Sequence, residues 1–310
     1  MGAPEIFESL NDLEATITDY RRNSSTLDSI ASSLALKSLE RRRDELKLAL
    51  EALSERSLID VCDYELMPSR EGRYPIKHVG QTISRFQDAV TAFFAAIKDN
   101  KPKTNITNNL EIIAASTLNY GYSYSGSLGI VMYAFNEELL PNGSTLDQAV
   151  HEVLSLTSET DLVAVKEKAD RFGKAAIRSF YSWTKAQTDA GMALDIKWKR
   201  GSEVKEGKVI QPEQLHVIQD IIKMAGDTRE TPEVVQGLLV ALNLTGRGYF
   251  KIVFPDESRD EISGSLDEDF NRRETHELPH NYEAVLIRSL KSTLYTDDDD
   301  KPTWRLVALK

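Results

Sequence analysis

Residues 5–21 place Ile6, Leu10, Leu13, Ile17 and Tyr20 at alternating intervals of four and three, which puts them on one face of a helix that Pro4 can start. After a polar NSST stretch, Leu27, Ile30 and Leu34, then Leu39, Leu46, Leu50 and Leu53, predict a second helix to about residue 53, with a register slip at 40–45. The short link makes the two an antiparallel hairpin. Ile59, Val61, Cys62, Tyr64 and Leu66 then read as a strand ending at Pro68. The clearest period follows: Ile76, Val79, Ile83, Phe86, Val90, Phe93 and Ile97 line one face of a long amphipathic helix. Residues 110–118 and 126–135 are expected as strands of a hairpin, with NYGYSYS at its turn.

Ser144 with Asp147 three residues on forms a near capping box. The apolar period from Leu162 to Trp183 predicts a further helix, bent at Gly173 and stopped at Gly191. Residues 192–200 alternate as a strand, and Pro212 starts a helix that Gly226 closes, with Glu203 in the polar link between them. Beyond Thr231 the helical period gives way to five short strands, at 234–244, 249–254, 261–266, 284–290 and 304–309. That density predicts a small all-β barrel of SH3-like or OB-like type. The fold class is therefore α+β in three parts: a helical hairpin at 1–56, an α+β body with antiparallel strands and long amphipathic helices at 57–230, and the barrel at 231–310.

Charge narrows the partners. The 49 acidic against 38 basic residues give −11, a field that repels a phosphate backbone, so bulk nucleic-acid binding is not expected. No apolar run approaches a membrane span and the first ten residues lack signal-peptide features, so the expected address is the cytoplasm. A single cysteine, Cys62, excludes an internal disulfide and a cysteine-clustered zinc site.

Familiar catalytic patterns are missing. The segment GYSYSGSLG places Gly121, Ser123 and Ser125 out of frame for a nucleophile elbow, and no glycine-rich turn feeds a helix as a phosphate loop requires. His276 and His280 near Glu274 and Glu277 read as an exposed loop before a metal site, and Asp297–Asp300 as a solvated turn with at most weak calcium affinity. Arg41, Arg42, Arg43 and Lys47 among acidic neighbours read as a solvated helix face. The one catalytic constellation is Asp195, Glu203 and Lys205, because metal-dependent nucleases combine two carboxylates with a lysine beside the attacking water.

These readings favour a non-enzymatic assembly or interaction protein without a cofactor, whose barrel recognises a protein partner. The leucine stripes, Leu10, Leu13 and Ile17 on the first helix and Leu39, Leu46, Leu50 and Leu53 on the second, suggest coiled-coil-like self-association into a homo-oligomer, or packing on the helix at 76–97 of the same chain. Two alternatives stand beside this: a small-ligand sensor using the body near Tyr120, Tyr122 and Tyr124, and the nuclease just described.

Overall fold

The computed structural model describes residues 2–24, 30–68, 74–125, 127–136, 143–254, 261–292, 294 and 302–310. The fold is α+β with two sheets, and the chain divides into two compact units, Met1–Met224 and Ala225–Lys310.

In the first unit, helices α1 (Ala3–Ser24) and α2 (Ile30–Arg56) precede strand β1 (Ile59–Pro68). Strands β2 (Asn119–Tyr124), β3 (Leu128–Phe135), β4 (Met192–Arg200) and β5 (Glu203–Ile210) join it in an antiparallel sheet of order β2-β3-β1-β4-β5. Side chains alternate across each strand, so the sheet has two differently covered faces. Cys62, Tyr64 and Leu66 turn toward the long helix α3 (Ile76–Asp99) and α7 (Lys174–Ala190), where the Phe86 ring lies 5.4 Å from Tyr64 and 5.3 Å from Trp183. Polar atoms of three large side chains in that core pair in series: Trp183 Nε1 donates to Tyr64 Oη at 3.1 Å, and Tyr64 donates to Gln187. Helices α5 (Thr145–Leu156), α6 (Leu162–Phe172) and α8 (Pro212–Met224) complete the packing around α3 and α7.

The hairpin covers the other face. Leu10, Leu46 and Leu50 are buried in one cluster with Ile59, Val61, Tyr122 and Val131, while Phe7 stacks on Tyr133 with ring centroids 4.4 Å apart. Ile17 is buried, Leu13 and Leu53 pack on the cluster, and Leu39 is half-buried. Leu10, Leu13, Leu46, Leu50 and Leu53 of the stripe proposed for self-association thus pack against strands of their own chain rather than on the helix at 76–97, which lies across the sheet. Arg43 and Lys47 also depart from a fully solvated face, since they reach the buried Glu14 at 4.0 and 3.6 Å.

Three local expectations are corrected. Residues 110–118 hold a short helix, α4 (Leu110–Ser116), because the Asn109 side chain caps it at Glu111 N and only Ile112 of its aliphatic residues is buried. The NYGYSY segment is itself strand β2, so the tyrosines sit on the sheet rather than in its turn. The run from Leu162 to Trp183 is two helices, since Gly173 has φ 89° and an added Cβ would lie 2.1 Å from Lys103 N.

The second unit is a closed barrel of order β10-β8-β7-β6-β9, built from β6 (Asp227–Asn243), β7 (Tyr249–Val253), β8 (Glu261–Leu266), β9 (His280–Ser292) and β10 (Thr303–Leu309). Leu239, Phe250, Ile252, Leu286 and Leu306 fill it. Closure removes free sheet edges, with β10 parallel to β8 and antiparallel to β9.

Candidate functional site

The helix-covered face of the sheet ends in charge. Asp60, the second residue of β1, lies on the same side as Cys62 and Tyr64, is fully buried, and sits one step beyond the Val61–Lys199 pair, beside Arg200 of β4. Arg200 closes on it twice, Nε to Oδ1 at 2.7 Å and Nη2 to Oδ2 at 2.8 Å. The Asn136 amide donates to Oδ2 as well, and Lys205 Nζ donates to Oδ1 at 2.8 Å.

Lys205 reaches this point through a bulge. Trp198 pairs with Glu206 and Lys199 with Val204, which leaves Lys205 as the extra residue of β5. Its ammonium also donates to Asp147 Oδ1 at 2.8 Å, where Trp198 Nε1 donates at 2.7 Å. Asp147 is the N3 residue of α5; its other oxygen accepts from Ser144 N, and Ser144 Oγ accepts from Asp147 N, the reciprocal capping box. Burial alone would raise the Asp147 pKa, but the hydrogen bonds from Lys205, Trp198 and Ser144 prevail and hold it below the ordinary aspartate range.

This network floors a cavity of about 570 Å³ between α5 and the β4–β5 hairpin. Arg200 and Lys205 have side-chain exposures of 14% and 20%, so they face the cavity from its floor. Among the described residues, Arg200 Nη1 has no partner and Lys205 has used two of its three protons. At the rim, His151 and Glu206 share a hydrogen bond of 2.6 Å, Nδ1 to Oε1, and Glu203 stands exposed without a partner among the described residues.

The nuclease constellation is therefore divided by the sheet. Glu203 lies on a strand rather than in a link, and both it and Lys205 line the cavity. Asp195 pairs in register with Val209, points to the opposite face, and binds Lys197 at 2.8 Å. The carboxylates that meet Lys205 are Asp60 and Asp147, for which the sequence held at most indirect signals: an acidic residue at the second position of β1, on the face that Cys62, Tyr64 and Leu66 make apolar, and the N3 position of a capping box. Among the described residues no group of three or more His, Cys, Asp or Glu is arranged to hold a metal ion; His276 and His280 lie in the barrel unit, and Asp297–Asp300 lie outside the described residues.

The three tyrosines separate. Tyr122 is buried, Tyr124 donates to Asp63 at 2.8 Å, and Tyr120 is exposed and donates to Asn11 at 2.9 Å. Tyr124 lies across Gly129 of β3, where an added Cβ would meet the ring at 1.9 Å. Desolvation, reinforced by Asp63, raises the phenol pKa of both Tyr122 and Tyr124. Among the described residues no helix is long and apolar enough to cross a membrane. Compared with known proteins, the chain matches no family model, no curated protein and no solved structure.

Proposed function

We propose that the first unit is a small-ligand receptor and that the cavity between α5 and the β4–β5 hairpin takes a ligand bearing a single carboxylate. The observation that carries this reading is the pair of mostly buried cations, Arg200 and Lys205, each with a donor left over on the cavity floor. Two polar anchors compete for a ligand. A hydrogen bond from a desolvated charged donor contributes about 1.5–3 kcal/mol. A solvent-exposed pair with Glu203 at the rim contributes about 0–1 kcal/mol. The floor therefore dominates, and it selects an acceptor.

Charge sets the valence. Asp60 and Asp147 already balance Arg200 and Lys205, while Glu203 and Glu206 line the rim, so the floor holds one carboxylate through its spare donors and has no surplus positive charge for a dianion. Ile97 and Trp198, which line the cavity, supply apolar wall for the rest of the ligand. Calorimetric titration with benzoate, benzamide and benzylamine, three probes of one shape, tests the reading. Benzoate alone should bind, and Arg200→Lys, which keeps the charge against Asp60 but withdraws Nη1, should weaken it by about tenfold. Equal binding of benzamide, or benzoate affinity unchanged in Arg200→Lys, overturns it.

A further inference from the structure

The opposite face of the sheet encloses a second cavity, of about 260 Å³, between α2 and strands β1, β2 and β4. Four charged side chains reach it: Lys47 and Glu51, one turn apart on α2, Asp63 on β1 and Lys199 on β4. Two are already engaged. Lys47 lies 3.6 Å from Glu14 and 5.6 Å from the Tyr124 ring centroid, and Asp63 accepts the Tyr124 hydroxyl.

The other two are not. Glu51 and Lys199 are half-buried, and among the described residues neither has a hydrogen-bond or ion-pair partner. The Tyr122 phenol, 5% exposed, makes no hydrogen bond among the described residues either. A half-buried charge without a partner is costly, and two of opposite sign lining one cavity without pairing to each other leave room for something between them.

We propose that this cavity binds a free amino acid as its zwitterion, with the carboxylate on Lys199 and the Tyr122 hydroxyl and the ammonium on Glu51. A simple anion would leave Glu51 uncompensated, and a simple cation would leave Lys199 so; only a ligand with both charges satisfies both walls. The volume equals roughly nine waters at about 30 Å³ each, the scale of one amino acid. Leu50, Val61 and Val131 offer the side chain an apolar surface. Lys199 and Arg200 are consecutive residues of β4 and point to opposite faces, so this site is separate from the carboxylate cavity and stands or falls without it.

The test is a thermal-melting survey of the full chain with each of the twenty proteinogenic L-amino acids. The one that stabilises most is then titrated calorimetrically beside its amide and its deaminated acid. The zwitterion should bind, and each singly charged analogue should bind at least about tenfold more weakly. Lys199→Met and Glu51→Gln should each lose about tenfold or more in affinity, and Lys199→Arg should retain binding, which separates loss of charge from loss of fold. Absence of stabilisation by all twenty, equal affinity for the amide or the deaminated acid, or full affinity in Lys199→Met overturns the proposal.

Discussion

Lys205 Nζ lies 2.8 Å from Oδ1 of Asp147, fastening the bulge of β5 to the first turn of α5. A resident ammonium thereby occupies the ground between Asp147 and Asp60 and sets the electrostatics of the cavity between α5 and the β4–β5 hairpin. Because these hydrogen bonds lower the folded-state pKa of Asp147, the aspartate contributes stability that is fully present above its unfolded pKa and lost as pH falls through its folded value. Urea unfolding of the parent and Asp147→Asn across a pH series should show a stability gap that is widest at neutral pH and closes below the ordinary aspartate range. A gap independent of pH would mean that Asp147 acts through packing alone.

Asp60 is the most heavily committed carboxylate in the described structure, accepting from Arg200, Lys205 and Asn136 with no solvent exposure. Removing one partner of such a buried set leaves the opposite charges uncompensated, so Asp60→Asn should cost about 3–5 kcal/mol in denaturant unfolding. A loss below about 1 kcal/mol would show that water or a rearranged side chain replaces the carboxylate.

The hairpin stripe makes a different prediction from the one its periodicity invites. Leu50 is buried against Ile59, Val61 and Val131 of its own chain, so Leu50→Ala should destabilise by about 2–5 kcal/mol while leaving the mass measured by light scattering unchanged. A change in oligomeric mass with little change in stability would instead return the stripe to a role in self-association.

Much of this fold was legible in the chain because its strongest signals are periodic. The Ile76–Ile97 stripe specifies α3, and the shift to short alternating runs beyond Thr231 specifies the barrel. Leu110–Leu118 misled because a short aliphatic run fits a strand or a helix equally, and a single cap at Asn109 decides between them. The site was less legible. Lys205 and Glu203 stand out in sequence, but the partners of Lys205 lie 145 and 58 residues away, at Asp60 and Asp147, and a one-residue bulge determines which face Lys205 takes. Strand alternation then places Asp195 across the sheet, a relationship set by register rather than by composition.

The barrel carries its own core, with Leu239, Phe250, Ile252, Leu286 and Leu306 buried inside a closed sheet. Residues 225–310 expressed alone should give a β-type circular dichroism spectrum and one cooperative melt, at a stability of only a few kcal/mol. A non-cooperative melt would show that the barrel core does not suffice without the rest of the chain.

The central claim, that a carboxylate seats against Arg200 and Lys205, is tested most directly at the Trp198 indole N–H, whose acceptor Asp147 also accepts from Lys205. The chain has three tryptophans, Trp183, Trp198 and Trp304, so an indole ¹⁵N–¹H spectrum holds three signals, assignable by single Trp→Phe variants. Titration with benzoate should move the Trp198 signal in a saturable way while the Trp183 and Trp304 signals stay in place, and benzamide should move none. A Trp198 signal indifferent to benzoate, or moved equally by benzamide, would contradict the claim.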